Sequence, residues 1–307
     1  LKKTLAVLAL ILTVGSAIAW RQPDDPPASS SPGLVNVVES AVMKHFAEMP
    51  NHGYLVNHNE FVAEVVAATP MLVVDIRQPD AYAKGHARGA INLPFGPVLA
   101  ANLDRLPHSG EVFVYCYSGQ SAGQTVMLLN ALGVPARSVT YGWNLGISKA
   151  EGANAITVTE PSPLLSGQVY PTTPEVLAAC RAYIERLASV AGSRFASNMV
   201  GEADAKALLD APDIAVQFVS LQSAEDFAKG HIEGSMDIPW GSGMPALFSN
   251  LPKDKKLIVY CGSGQRAGQV VAGLRLVGFD AVSLRNGLGT PVNQPSGWVN
   301  QGFPLVQ

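Results

Sequence analysis

Tyr260-Cys261-Gly262-Ser263-Gly264-Gln265-Arg266-Ala267-Gly268 stands in the second half of the chain, and Tyr115-Cys116-Tyr117-Ser118-Gly119-Gln120-Ser121-Ala122-Gly123 stands in the first. Seven of the nine positions are identical, at an offset of 261 − 116 = 145 residues. The match extends outward at the same offset. Ala83-Lys84-Gly85-His86 recurs as Ala228-Lys229-Gly230-His231, Pro94-Phe95-Gly96 as Pro239-Trp240-Gly241, and Leu106-Pro107 as Leu251-Pro252. A period this long makes the repeating unit a whole domain rather than one turn of a solenoid.

Within each copy, strand-like and helix-like patterns alternate. Met71 to Ile76 and Glu111 to Tyr115 are short β-branched and aromatic runs of the kind found in buried parallel strands, and Ile214 to Val219 and Leu257 to Tyr260 are their counterparts. Ser121 to Leu132 and Arg266 to Leu276 have the length of helices and are closed by Gly133 and Gly278. Short strands follow at Ser138 to Tyr141 and Ala281 to Leu284. This alternation predicts an α/β fold: two tandem modules, each a small parallel sheet with helices on both faces. An amphipathic helix precedes each copy, at Leu34 to Glu48 and Glu175 to Val190, and the sequence assigns neither a role.

Each cysteine loop joins the end of a strand to the start of a helix, where open α/β sheets place their ligand sites. Its small, glycine-bearing residues, Tyr117, Ser118, Gly119 and Gln120 in one copy and Gly262, Ser263, Gly264 and Gln265 in the other, can turn backbone N–H groups inward around a sulfur. The helix N-terminus adds partial positive charge from the same side. Both effects favour thiolate, so a lowered cysteine pKa is expected, with no need of a metal or other cofactor.

Cys261-Gly262-Ser263-Gly264-Gln265-Arg266, cysteine first and arginine sixth, resembles the active-site loop of the rhodanese family. Asp75-Ile76-Arg77, Gly85-His86, Gly89-Ala90 and Asn92-Leu93-Pro94 resemble a second hallmark of that family, and Gly230-His231, Gly234-Ser235 and Ile238-Pro239 repeat it. The resemblance covers roughly residues 54–146 and 199–290. It implies sulfur transfer by double displacement, in which a cysteine thiolate takes sulfane sulfur from thiosulfate or a persulfide and hands it to a thiol or cyanide. It also implies that the loop size matters. Related dual-specificity phosphatases use a loop one residue longer, whereas four residues separate Cys261 from Arg266, a pocket suited to one added sulfur atom.

The copies depart from that pattern differently. The first keeps Asp75 and Arg77 but has Ser121 in place of the sixth-position arginine and Tyr117 after its cysteine; the second keeps Arg266 but has Ser220 and Gln222 where the first has Asp75 and Arg77. A missing arginine removes a donor to an anionic substrate, worth roughly 1.5–3 kcal/mol per charge-assisted bond. Cys261, with Arg266, is therefore the first choice for turnover, and Cys116 the second; the alternative for Cys116 is a sulfur- or oxyanion-binding site with little catalysis. Asp75 and Arg77 read as an internal ion pair, His86 and His231 as hydrogen-bonding braces of a neighbouring loop, Phe95 and Trp240 as pocket rim or core, and Gly142 and Gly287 as turn glycines. Cys180 has no counterpart in the first copy and reads as structural.

The remaining sequence sets the context. At 307 residues, with 48% hydrophobic and 15% charged, the chain is long and apolar enough for two cores. A net charge of −3, with no Lys/Arg run, excludes a nucleic-acid surface. No Cys-x-x-Cys-His and no zinc-ligand spacing occur. Lys2, Lys3, the apolar run Leu5 to Val14 and Ala17-Ile18-Ala19 read as a signal peptide over residues 1–19, cleaved before Trp20 to leave 307 − 19 = 288 residues; the rival reading is an uncleaved anchor, the one route to a membrane. Residues 20–33 read as a tether, 34–150 and 174–307 as the two modules, and 151–173, with Pro161, Pro163 and Pro171, as their linker. Export to the periplasm or another part of the envelope is expected, and an odd count of three cysteines favours at least one free thiol. Three functions stand open: a sulfurtransferase with a small sulfur donor and a thiol acceptor, a non-catalytic envelope module that binds sulfur or selenium oxyanions or a redox protein, and a Cys116–Cys261 disulfide switch.

Overall fold

The computed structural model describes residues 32–163, 165–211 and 216–307. The segment read as a signal peptide, the expected tether up to residue 31 and the first two residues of the strand expected from Ile214 lie outside the described residues. Among the described residues no helix is long and apolar enough to cross a membrane.

In the first module the strands are β1 (Leu55–Val56), β2 (Leu72–Asp75), β3 (His86–Ala87), β4 (Ala90–Asn92), β5 (Val112–Tyr115), β6 (Ala136–Val139) and β7 (Thr157–Val158). Five of them form a sheet in the order β1-β6-β5-β2-β4, and every pairing in it is parallel. In the second module β8 (Met199–Val200), β9 (Val216–Ser220), β10 (Met236–Asp237), β11 (Lys256–Tyr260) and β12 (Ala281–Leu284) form a second parallel sheet in the order β10-β9-β11-β12-β8, the same path read from the other edge. The expected α/β architecture is present, with strand ends shifted by one or two residues.

The central strands β5 and β11 are buried along almost their whole length. That is why their sequences read as continuous apolar runs rather than alternating ones. Each ends directly at its cysteine. The helices between strands are α2 (His58–Val66), α3 (Pro79–Lys84), α4 (Pro97–Asn102), α5 (Gln120–Ala131) and α6 (Ala153–Ile156) in the first module, and α8 (Glu202–Asp210), α9 (Ala224–Lys229) and α10 (Gln265–Leu276) in the second. The two amphipathic arms are α1 (Pro32–Ala47) and α7 (Pro174–Glu185). The first arm starts at Pro32, two residues inside the stretch read as tether.

The modules are joined face to face. α5 and α10 cross so closely that a Cβ on Gly123 would lie 2.5 Å from the Gln265 carbonyl oxygen, and one on Gly268 would lie 2.4 Å from the Gln120 carbonyl oxygen. Only glycine at these two positions permits this approach. The arms lie across the seam. Phe46 of α1 meets Trp240 and Phe248 of the second module edge to face, at ring-centroid distances of 6.3 and 5.6 Å. From α7, Arg181 pairs with Asp104 of the first module at 3.0 Å, and Tyr183 donates to Gln124 Oε1 at 2.6 Å. One hydrophobic core therefore runs through both modules and both arms, while two smaller clusters cover the outer faces of the two sheets. Each fully buried large apolar side chain, such as Phe46, stabilises this arrangement by roughly 1.5–3 kcal/mol. Cys180 sits in that core with its thiol toward the Leu128 carbonyl, and burial pushes its pKa up to about 12.

Candidate functional site

The two cysteine loops have the same backbone. Gly119 and Gly264 adopt left-handed conformations, with φ of 96° and 85°, and turn the chain into α5 and α10. At that turn the Gly119 N–H donates to Cys116 Sγ and the Gly264 N–H donates to Cys261 Sγ, both at 3.1 Å. The loop carbonyls face the other way. Trp143 N–H and Asn144 N–H donate to the carbonyls of Cys116 and Tyr117 at 2.8 and 2.9 Å; in the second module Leu288 N–H and Gly289 N–H donate to those of Cys261 and Gly262, both at 2.8 Å. With the oxygens tied outward, the following N–H groups turn in toward sulfur.

The tie requires a tight turn after β6 and after β12. Tyr141-Gly142 and Asn286-Gly287 supply it, all four residues having φ between 56° and 60°. A Cβ on Gly142 would fall 2.4 Å from the Cys116 carbonyl oxygen, and one on Gly287 2.0 Å from that of Cys261. Both turn glycines are thus part of the cradle.

Each thiol is 4% exposed. At Cys116 the amides of Ala122, Ser118, Gly119 and Ser121 favour the thiolate, yet burial outweighs them and raises the pKa. The expected lowering is therefore corrected for Cys116, because desolvating the charge costs more than the amides return. All three cysteines are free, and no disulfide joins Cys116 to Cys261.

Above Cys261 a cavity of about 600 Å³ opens, its walls including Gln222, Ser223, Trp240, Gly262, Arg266 and Leu288. Arg266 is exposed, makes no ion pair among the described residues, and lies over the Trp240 ring at 5.7 Å. Lys229, also on the cavity wall, is occupied by Glu225 and Asp226 at 2.8 and 3.2 Å. Arg266 is thus the available cation beside the thiol. Ser263 is half-buried within the loop.

The surroundings of Cys116 differ. Tyr117 stands where Gly262 stands, and its hydroxyl accepts from the Gln78 N–H at 3.1 Å, closing the gap that lies between Gly262 and Ser223 in the second module. Trp143 replaces Leu288 and covers the Arg77 guanidinium at 4.4 Å from its ring centroid. Arg77 is buried and bound to Asp75, Nη2 to Oδ2 at 2.6 Å and Nε to both carboxylate oxygens at 3.0 Å, and also donates to the Gly85 carbonyl at 2.7 Å. Its charge is spent internally. In the second module Gln222 donates to the Gly230 carbonyl at 3.2 Å and hydrogen-bonds Ser220, the same brace without charge.

His86 and His231 lie away from the thiols. His86 stacks on Tyr82 and hydrogen-bonds the Tyr82 and Glu160 carbonyls; His231 stacks on Phe227 and hydrogen-bonds its carbonyl. Trp240 lines the cavity, whereas Phe95 packs against the core. Ser118 and Ser121 are half-buried, and Ser121 brings no cation to the first site. Gln120 and Gln265, read from sequence as loop residues facing substrate, instead point across the seam. They are 1% and 2% exposed and reach the opposite module. Among the described residues no cluster of His, Cys, Asp and Glu could hold a metal ion.

A family model for the rhodanese-like domain matches residues 58–148 and 202–289, one match on each module. The chain belongs to the rhodanese-like domain family. The sulfurtransferase of Allochromatium vinosum is 30% identical over 113 residues, covering 35% of this chain and 96% of that one. The thiosulfate sulfurtransferase PspE of Escherichia coli K12 is 34% identical over 61 residues, covering 20% of this chain and 59% of that one. A tRNA uridine(34) hydroxylase of Escherichia fergusonii is 30% identical over 90 residues, covering 28% of this chain and 25% of that one. These relatives differ in activity, so the chemistry of the module lies in the residues of its site.

Proposed function

We propose that the chain is a sulfurtransferase whose turnover site is Cys261. The observation that carries this reading is a thiol held by an inward N–H at 3.1 Å, at the foot of a cavity that also presents Arg266. The names of two of its relatives point the same way. In the first displacement the Cys261 thiolate attacks the outer sulfur of thiosulfate, the S–S bond breaks, and sulfite leaves with the electron pair. In the second, a thiolate or cyanide acceptor attacks the terminal sulfur of the persulfide, and the Cys261 thiolate is released. The Gly264 N–H stabilises negative charge on sulfur, and Arg266 orients an anionic donor.

Intact-protein mass spectrometry after incubation with thiosulfate tests the reading. Added sulfur located at Cys261 by peptide mapping is expected on the wild type, and turnover with cyanide is expected to be lost in Cys261→Ser; a wild type that takes up no sulfur at Cys261, or a Cys261→Ser variant that turns over as fast, refutes it. For Cys116 the closure by Tyr117 favours the second reading, a sulfur-holding site with little turnover. The proposed setting is the cell envelope, with a small thiol or an envelope redox protein as acceptor. It rests on the residue pattern of positions 1–19, and recovery of the protein, cut before Trp20, in a periplasmic fraction after expression of the full sequence tests it.

A further inference from the structure

Gln120 is the first residue of α5 and belongs by sequence to the Cys116 loop, but among the described residues the hydrogen bonds of its side chain all lie in the second module. Its Nε2 donates to the Leu284 carbonyl at 3.0 Å and to Ser283 Oγ at 3.3 Å, and its Oε1 accepts from the Asn286 N–H at 2.9 Å. Asn286 opens the left-handed turn whose continuation, Leu288 and Gly289, ties down the carbonyls of Cys261 and Gly262. The same side chain lies directly behind Gly264, where a Cβ would come within 2.4 Å of Gln120 Nε2. Gly264 is the residue whose N–H donates to Cys261 Sγ. One buried amide thus touches both supports of the second cradle.

The reverse support is weaker. Gln265, the counterpart of Gln120, makes one bond of 3.4 Å to the Ser118 carbonyl, and Ser138, the counterpart of Ser283, is buried with its hydroxyl unpaired among the described residues. Gln265 Nε2 lies behind Gly119 as closely, 2.5 Å from a Cβ placed there, so it is the hydrogen bonding that runs mainly from the first module to the second.

We propose that Gln120 is a positioning residue for Cys261, supplied by the neighbouring module. The first module is then part of the second module's reaction centre, independently of any turnover at Cys116. For its effect on turnover this rests on the sulfurtransferase reading; for its effect on the thiol it does not.

The test compares Gln120→Met with Gln124→Met in the full chain. Methionine keeps the length and removes the hydrogen bonds. Gln124 is an equally buried seam glutamine, bonded to the Ser197 carbonyl and Tyr183, that touches neither cysteine loop. Alkylation of Cys261 by a neutral reagent, followed by peptide mass spectrometry across pH, reads the cradle without requiring activity. Gln120→Met is expected to displace the Cys261 profile to higher pH and to slow sulfur loading from thiosulfate roughly tenfold through kcat rather than KM, since Arg266 is untouched. Gln124→Met is expected to leave the profile in place while lowering the melting temperature comparably. Gln120→Asn, which keeps a neutral amide one methylene shorter, is expected to fall between wild type and Gln120→Met, and it carries the comparison should Gln120→Met not fold. Coincident Cys261 profiles for the Gln120 and Gln124 variants overturn the proposal. A wild type without sulfur loading, but with a profile displaced by Gln120→Met, refutes the sulfurtransferase reading and leaves the positioning role standing.

Discussion

At Cys116 the next residue is Tyr117, whose hydroxyl reaches across to the Gln78 N–H; at Cys261 the next residue is Gly262, and a cavity opens beside it. Beneath that difference the two loops match, with the same N–H to sulfur distance, the same left-handed glycines and the same outward carbonyl ties. The comparison separates two requirements of a sulfur site. Backbone geometry makes the cradle; side chains at three or four positions decide whether anything can reach it. The first module spends its arginine on Asp75 and covers it with Trp143, whereas the second uses a neutral brace and leaves Arg266 free for an anion.

The braces should differ most. Arg77→Ala leaves a buried Asp75 carboxylate without its partner and is expected to cost about 3–5 kcal/mol, while Gln222→Ala removes a neutral bond worth about 1 kcal/mol. Urea denaturation of both variants checks this, and equal losses would break the distinction between charged and neutral brace. Arg266→Ser gives the second loop the residue of the first. The expected outcome is a drop of about ten- to a hundredfold in kcat/KM for thiosulfate, mostly through KM, because one charge-assisted contact is lost. Steady-state cyanide kinetics measures it. Smallest is the effect of Tyr117→Gly, which gives the first loop the opening of the second. Removing the hydroxyl contact to Gln78 should speed Cys116 alkylation about fivefold at neutral pH, the equivalent of one neutral hydrogen bond. Burial holds the Cys116 pKa above the ordinary thiol value, so in the wild type its reaction should rise only on the alkaline side, and wetting the sulfur should move that rise to lower pH. Peptide-resolved alkylation across pH reads both effects.

Much of this was legible in the chain. An offset of 145 residues, gap-free through the central part, places the cysteine and the ends of the four strands around it in the second module from those of the first, and buried parallel strands announce themselves as apolar runs. Asp75 and Arg77, two residues apart at a strand end, also suggest their pairing, and the structure shows it. Long-range geometry was not legible. Gln120 and Gln265 look like substrate-loop residues because sequence places them beside the cysteines; the helix crossing, made possible by Gly123 and Gly268, turns them the other way. Tyr117 could be seen to depart from the family's loop, but its reach to Gln78 depends on how α3 approaches the loop. At Cys116 the inward amides could be counted from the loop, whereas the burial that outweighs them comes from side chains distant in sequence. The amphipathic arms carried the same ambiguity, since an apolar stripe shows that a helix is covered without saying by what.

Those arms bear on how such a molecule can be divided. Because α1 leans on Trp240 and Phe248 of the later half while α7 grips Asp104 and Gln124 of the earlier one, a cut in the intervening segment would strand each half with an uncovered apolar face matched to the other. The halves are complementary fragments rather than independent beads, each arm covering a face that the other half leaves bare.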